Sequence, residues 1–363
     1  MKMSLENIKI GMCVGQDLYT ESGQLITPNN TFVTPELLAK LKKFKIKWIE
    51  MSPAAPDDNP NTTDHVEDIP DIFDIRNTPG FKSFQSETSE AAESLTSSLD
   101  SISHKSPDTV HIDMINNLST LLYENNKSNL NLIDMVYNMH EYSDAIYTHS
   151  VNVGMIASHL GHWLGLPDDD IKLLVTCGLF HDIGKLLIPK EILEKSAPLT
   201  PEEYKIMYSH TTKGFELLDQ FDDIDYRVKR VALLHHERCD GSGYPMHFMG
   251  DELDKYSKII AIADVYEAMT AERPYRGPIC PFTVVDYFEK EGLHKFETKY
   301  VLKFINKMVN SYLHTKVLLS NGKEATVIMI NKNIKSRPLV KMDGGEFLDL
   351  SVTPEIHIVK MVS

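Results

Sequence analysis

The sequence predicts a mainly helical domain, residues 111–314, flanked by small β-rich modules at residues 1–51 and 315–363. Three observations predict this fold class. Apolar residues recur at helical spacing through the middle of the chain, and short alternating apolar segments lie at both ends. A polar stretch, residues 52–110, separates the first module from the helices.

The N-terminal module begins with short alternating segments at Ile8–Ile10 and Leu18–Tyr19. Residues 35–46 place apolar side chains at helical spacing and predict a helix, and Trp48–Ile49 predicts a last strand. Residues 52–110 follow with twelve acidic and three basic residues, a net charge of −9. This composition predicts an acidic, partly disordered linker, and we assign no regular structure to its second half.

The central domain reads as one helix after another. His149 shares a helical face with Val153 and Ile156, so a polar side chain enters an otherwise apolar surface. Residues 256–269 are apolar almost all round, which indicates a helix that is buried on every side.

The C-terminal module changes to strand patterns. Asn321–Gly322 lies between two apolar runs and predicts a hairpin. The predicted strands cover residues 316–319, 325–330, 338–342 and 355–362. Their strand content complements that of the N-terminal module, and we expect the two modules to pack together.

The composition limits the classes of protein to be considered. A net charge of −15 argues against a nucleic-acid polymer as partner. No apolar run is long enough to span a bilayer, and the first residues lack the apolar core of a signal peptide, so we expect a cytoplasmic protein. Four scattered cysteines, without a CxxC pair, predict reduced thiols.

Several histidines and aspartates interrupt these apolar helices, where an unpaired polar group would cost several kcal/mol. They are His149, His181, Asp182, His235, His236 and Asp264. Any one of them is explained by a satisfied core residue. Together, on successive helices, they favour a polar centre that binds divalent transition metals, because imidazole and carboxylate are natural ligands of such ions.

The order of motifs is more specific. His181-Asp182-Ile183-Gly184-Lys185 is followed by His210, His235-His236-Glu237, Gly241-Ser242-Gly243-Tyr244-Pro245, Asp264 and Arg273-Pro274-Tyr275-Arg276. This order resembles the HD-GYP family, a branch of the HD-domain metal-dependent phosphohydrolases, over a little more than half of the chain. The resemblance implies an HD-type helical bundle for the central domain.

The resemblance also implies the ligand set of a dinuclear site. His149, His181, Asp182 and Asp264 would hold one metal, and Asp182 would bridge to a second metal held by His210, His235 and His236. Iron or manganese is the expected metal, and a hydroxide between the two ions would attack the phosphodiester. Glu237 is expected to orient a ligating histidine.

The same resemblance implies the substrate contacts. Lys185, Arg273 and Arg276 would contact phosphate oxygens. Gly243, Tyr244 and Pro245 form a loop by composition, with a tyrosine able to stack on or hydrogen-bond the substrate, although a purely structural turn is the alternative. Asp182 and Lys185 are the expected catalytic residues.

Two positions depart from the family pattern. Ala145 stands where some members carry a glutamate that helps to bind a third metal, so we expect two metals. Glu267 stands where an aspartate is common, and the sequence offers no interpretation of it. Related proteins often dimerise through helices that precede the catalytic domain, and residues 111–140 are the candidates for a homodimer here.

The expected activity is hydrolysis of cyclic di-GMP to linear pGpG, with GMP as a further product. A mixed cyclic GMP-AMP dinucleotide is the alternative substrate. Other hypotheses are a non-catalytic receptor, a nucleotide phosphatase and a diiron oxygenase. The resemblance also allows signalling proteins to bind the Gly-Tyr-Pro loop alongside catalysis.

Overall fold

The structure is a computed structural model. It describes residues 2–4, 8, 14, 18–19, 25–27, 41, 46, 48–50, 78–103, 109–126, 132–139, 146–195, 197–271 and 277–362. Two compact units divide the chain, Met1–Ile69 and Pro70–Ser363. The helical domain and the C-terminal strands therefore belong to one unit.

The described part of the first unit contains four short strands, β1 (Lys2–Ser4), β2 (Leu18–Tyr19), β3 (Leu25–Thr27) and β4 (Trp48–Glu50). They form two antiparallel pairs, β1 with β4 and β2 with β3. Buried residues of this unit make a small apolar cluster: Ile8, Val14, Leu18, Leu41 and Ile49.

The helices of the second unit begin with α1 (Pro79–Ser103), α2 (Thr109–Asn126), α3 (Leu132–Met139), α4 (Ile146–Leu164) and α5 (Asp168–Phe180). A 3-10 helix, Ile183–Leu187, precedes α6 (Lys190–Leu193), α7 (Pro201–Tyr208), α8 (His210–Leu218) and α9 (Tyr226–Leu234). The last are α10 (Lys255–Thr270), α11 (Pro281–Tyr287), a π-helical turn (Phe288–Gly292), α12 (Leu293–Lys295) and α13 (Thr298–Ser311).

The fold class predicted from the sequence, mainly α with β-rich ends, is confirmed. Helix α10 is buried along most of its length, as its uniformly apolar sequence indicates. Among the described residues, no helix combines the length and the apolar character needed to cross a membrane.

The structure differs from the sequence analysis in the stretch 52–110, to whose second half no regular structure was assigned. Residues 79–103 of this stretch form helix α1. Its buried stripe includes Phe81, Phe84 and Leu95, which join the main core. Ser83 donates to Glu87 one turn away on the exposed side. The many polar residues of that side weaken the apolar periodicity, which is why the sequence did not predict this helix. Residues 52–77 lie outside the described residues.

Glycines allow the helices that carry the predicted histidine and aspartate ligands to approach one another closely. A Cβ added to Gly178 on α5 would lie 2.3 Å from the Cα of Gly154 on α4, so the two helices touch through their backbones. A Cβ on Gly184 would lie 1.9 Å from the carbonyl oxygen of His210. These contacts bring the residues around His181 directly against α4 and α8.

The C-terminal strands are β5 (Lys316–Leu319), β6 (Glu324–Met329), β7 (Leu339–Met342), β8 (Phe347–Asp349) and β9 (Ile358–Val362). They form one antiparallel sheet in the order β8-β7-β6-β5-β9. Val317 pairs with Ala325 across the predicted hairpin, and Gly322 in its turn has φ 78°. The inner face, which includes Val317 and Val327, is buried in the same core as the helices.

Candidate metal centre

Five helical elements bring the seven predicted ligands together. His149 lies in α4, His181 and Asp182 follow the last residue of α5, His210 begins α8, His235 and His236 follow α9, and Asp264 lies in α10. Their ligand atoms form two groups, each with all atoms within 4.8 Å of one another. One group is Asp182, His210, His235 and His236, and the other is His149, His181 and Asp264.

Asp182 lies between the two groups. Its Oδ2 atom is 3.5 Å from His149 Nε2 and 3.3 Å from His181 Nε2. Its Oδ1 atom is 3.4 Å from His210 Nε2 and 3.7 Å from His235 Nε2. The two oxygens of one carboxylate therefore face two different pairs of imidazoles, as a bridging ligand requires.

Asp264 closes the opposite side of the cluster. Its Oδ1 atom is 3.3 Å from His149 Nε2 and 3.9 Å from His181 Nε2, while its Oδ2 atom is 3.9 Å from His236 Nδ1. The carboxylate faces both groups, with one oxygen towards each.

The backbone fixes the ring orientation of three histidines. Each donates Nδ1–H to a carbonyl oxygen three residues earlier: His181 to Gly178 (2.7 Å), His210 to Met207 (2.7 Å) and His235 to Ala232 (3.1 Å). The Nε2 lone pairs consequently point into the cluster. Those of His210 and His235 lie only 3.3 Å apart, an arrangement of two acceptors that a shared cation would stabilise.

Two polar atoms of the cluster are buried without a hydrogen-bond partner among the described residues, His181 Nε2 and Asp182 Oδ1. Leaving such groups unsatisfied costs free energy, whereas metal coordination satisfies them. The donor set and these two atoms therefore fit a pair of divalent metal ions. Imidazole and carboxylate together are the ligands of divalent transition metals.

The protonation states agree with this fit. Burial lowers the pKa of His210 to about 4, and it also lowers the pKa values of His235 and His236, so these rings are neutral near pH 7. Burial alone would raise the pKa of Asp182, but the charges of Lys185 and the neighbouring histidines bring it well below its usual range. His210, His235 and His236 thus offer neutral imidazoles and Asp182 an ionised carboxylate, the forms that bind metal, whereas the raised pKa of His149 means that a metal there would displace a proton.

Lys185 lies at the open side of this cluster. It belongs to the 3-10 helix rather than to an α-helical turn, and its ammonium contacts Asp182 Oδ2. About a quarter of its side chain is exposed, at 28%. A cation in this position neutralises part of the charge of the carboxylate that lies between the two groups.

Glu237 has a different contact from the one predicted. Its buried carboxylate accepts hydrogen bonds from the backbone N–H groups of Met246 (2.6 Å) and Phe248 (3.2 Å), and so fastens the Gly-Tyr-Pro loop. The prediction that Glu237 orients a ligating histidine is therefore wrong. The acceptor for His149 is Glu267, three residues after Asp264 on α10.

Glu267 holds His149 from outside the cluster. Its Oε2 atom accepts from His149 Nδ1, and its Oε1 atom accepts from Asn152 Nδ2 at 3.2 Å. Burial alone would lower the pKa of His149, but the charge of Glu267 and hydrogen bonds to the site carboxylates raise it well above its usual value. The sequence offered no interpretation of Glu267; the one signal that could have pointed to it is its i, i+3 spacing to Asp264, which places both on one helical face.

The Gly-Tyr-Pro loop packs directly against the ligand segment. A Cβ on Gly243 would lie 2.3 Å from Glu237 Cα, so the loop approaches that backbone as closely as glycine allows. Tyr244 stacks on His236, with ring centroids 4.8 Å apart, and Pro245 is half-buried. The loop therefore supports a candidate metal ligand. Arg273, Arg276 and Ala145 lie outside the described residues.

Comparison with known proteins assigns a family to the part of the chain that contains this cluster. Residues 109–299 match the family model described as an HD domain. A cyclic di-GMP phosphodiesterase of Thermotoga maritima is 36% identical over 149 residues, covering 40% of this chain and 40% of that protein. A 3'3'-cGAMP-specific phosphodiesterase 1 of Vibrio cholerae is 41% identical over 149 residues, covering 41% of this chain and 34% of that protein.

Among solved structures, an HDG"Y"P protein of Bdellovibrio bacteriovorus is similar with 15% identity and a TM-score of 0.47. That similarity covers 85% of this chain and 99% of that one. The matches to the two phosphodiesterases span two fifths or less of the length of those proteins.

Proposed function

Because the chain belongs to the HD-domain family, with relatives that bear out its resemblance to the HD-GYP branch, we propose that it is a cytoplasmic, metal-dependent phosphodiesterase. Its proposed substrate is cyclic di-GMP, which it opens to linear pGpG and hydrolyses further to GMP. The observation that carries the proposal is Asp182, whose two oxygens face two separate sets of imidazoles.

In this proposal the seven clustered residues hold two iron or manganese ions. Two such ions would supply an activated water and neutralise charge on the phosphodiester. The chain itself supplies the orientation. Backbone carbonyls hold three imidazoles in the ligating tautomer, and Glu267 accepts a hydrogen bond from a fourth, that of His149. The ammonium of Lys185 would pair with a non-bridging phosphate oxygen of the substrate.

A mixed cyclic GMP-AMP dinucleotide is the second candidate substrate. The 41% identity to a 3'3'-cGAMP-specific phosphodiesterase supports it. Both substrates present a phosphodiester to the same ligands, so the distinction depends on contacts to the bases. A homodimer, and partners at the Gly-Tyr-Pro loop, stay predictions.

The test uses protein purified without chelator. Elemental analysis should find about two metal equivalents per chain, and chromatography should show conversion of cyclic di-GMP to the linear dinucleotide. Asp182→Ala, which removes the proposed bridge, should abolish turnover and lose metal. Asp223→Ala changes an exposed aspartate outside the cluster and should match wild type.

The other outcomes are distinct. Metal with turnover of the GMP-AMP dinucleotide alone would replace the primary substrate with the second candidate. Tight dinucleotide binding without metal or turnover would contradict the enzyme proposal and favour a receptor. Hydrolysis that is unchanged in Asp182→Ala would refute the bridging role of Asp182.

A further inference from the structure

A column of stacked rings leads outwards from the metal centre. His236 stacks on Tyr244 with centroids 4.8 Å apart and planes 24° apart. Tyr244 in turn stacks on Tyr208 with centroids 4.1 Å apart and planes 22° apart. Tyr204 lies beside Tyr208, with centroids 5.8 Å apart, but its ring is tilted by 47° and so is not stacked in the column. The column therefore starts at a candidate ligand and ends on helix α7.

The stacking angles place Tyr244 inside this column. Two rings that are both nearly parallel to Tyr244 and within 5 Å of it must cover its opposite faces, because on one face they would overlap. Neither face of Tyr244 is then open to a base, although the loop composition suggested stacking there. An aromatic surface for the substrate has to lie farther along the column.

The outer end of the column is open to solvent. Tyr208 is 43% exposed and Tyr204 is 45% exposed. Each ring therefore presents a large apolar surface to solvent. Their helix is well fixed, since Thr200 and Glu203 form a capping box at its start. The helix ends at Tyr208. Only Ser209 separates it from His210, which belongs to the cluster. The two exposed rings are thus held at a defined distance from the proposed scissile phosphate.

We propose that Tyr208, with Tyr204 beside it, is the stacking platform for one purine base of the cyclic dinucleotide, an inference that rests on the proposed function. With the phosphodiester at Asp182, the nucleoside attached to it extends out of the cluster. Tyr208 offers an exposed planar ring two stacking steps from His236. Every nucleobase has an aromatic face, and stacking on tyrosine is a common way for proteins to hold one.

The first test is a kinetic comparison in the metal-loaded enzyme. Tyr208→Ala should raise KM for cyclic di-GMP roughly tenfold or more, with kcat nearly unchanged, and Tyr208→Phe should restore KM because the ring is kept. Methyl p-nitrophenyl phosphate has no purine, so Tyr208→Ala should hydrolyse it at the wild-type rate. Tyr226→Ala, at a 59% exposed tyrosine outside the column, is the matched control.

The second test reads stacking directly. A cyclic dinucleotide with one 2-aminopurine base is mixed with the metal-loaded enzyme in a stopped-flow cell, and stacking quenches its fluorescence before turnover. Tyr208→Ala should lose the quench, whereas Tyr208→Phe and Tyr226→Ala should keep it.

Three outcomes separate the possibilities. An unchanged KM and quench in Tyr208→Ala, with cyclic di-GMP still hydrolysed, would overturn the platform alone. A lower rate on methyl p-nitrophenyl phosphate, together with metal loss, would mean that Tyr208 only supports Tyr244 and His236, and it would also overturn the platform. A wild-type enzyme that hydrolyses the simple diester but no cyclic dinucleotide would refute the proposed function itself.

Discussion

Gly243→Ala gives the sharpest test of how the Gly-Tyr-Pro loop supports the site. The added Cβ would lie 2.3 Å from Glu237 Cα, 2.4 Å from Arg238 N and 2.5 Å from Glu237 C, all backbone atoms that no rotamer change can move. Ordinary carbon contacts need about 3.5 Å, so the loop has to retreat by roughly 1 Å. The change is therefore a displacement of the whole loop.

That displacement breaks identifiable contacts. The hydrogen bonds from Met246 N and Phe248 N to Glu237, at 2.6 and 3.2 Å, would stretch towards or beyond their limit. A hydrogen bond to a charged group contributes roughly 1.5–3 kcal/mol, and Glu237 stays buried without it. We expect the free energy of unfolding to fall by about 3 kcal/mol. Turnover should fall as well, because Tyr244 leaves His236.

The assay is urea unfolding of the metal-free protein, followed by metal content and turnover of the loaded protein. Gly344→Ala is the control, because a Cβ there meets nothing within 4 Å and the residue has no positive φ. Equal unfolding midpoints and equal turnover for Gly243→Ala and Gly344→Ala would refute the reasoning. A stability loss with full activity would refute only the link from the loop to His236.

Three further predictions concern single residues. Glu267→Ala should weaken metal binding roughly 10- to 100-fold, measured by elemental analysis after dialysis against a metal buffer. Glu267→Gln should retain metal, because an amide oxygen still accepts from His149. Equal metal loss in both variants would contradict this role of Glu267. His247→Gly should stabilise the protein by about 0.5–1 kcal/mol in urea unfolding, because His247 has φ 56°, and unchanged or lower stability would count against backbone strain there. In the metal-free protein the free energy of unfolding should fall as the pH drops from about 6.5 to about 4, because His210 takes up a proton in this range only when the protein is unfolded; in the folded protein its pKa is about 4. His210→Gln should make the free energy of unfolding less dependent on pH in this range. An identical pH dependence in this variant would contradict the lowered pKa of His210.

The clustered residues were predictable because the sequence presents them as polar interruptions of apolar helices in a recurring order. His149, His181 and Asp264 are examples, and the structure brings them within ligating distance. In the structure, four of these histidines face Asp182 in two pairs, His149 with His181 and His210 with His235. Their use as metal ligands stays a prediction.

The supporting contacts were not predictable in the same way. Glu237 and Glu267 are both buried glutamates near ligands, and the sequence does not tell which of them contacts a histidine. The answer depends on a contact between residues 118 positions apart, His149 and Glu267. Strand β8 was missed because it is a three-residue edge strand with one exposed aromatic residue, too short for an alternating pattern.

Helix ends explain why this fold suits a cationic centre. The last carbonyl groups of a helix have no partner within it, and at α5, α7 and α9 one such carbonyl accepts Nδ1–H from a histidine of the cluster. The same contact that satisfies the helix end therefore aims Nε2 into the site. At α5 and α9 the negative end of the helix dipole also lies there, which favours bound cations, while at His210 the N-terminus of α8 offsets the C-terminus of α7. Fold stability and ring orientation thus depend on the same hydrogen bonds, so replacing one of these imidazoles removes a helix cap and a proposed metal ligand together.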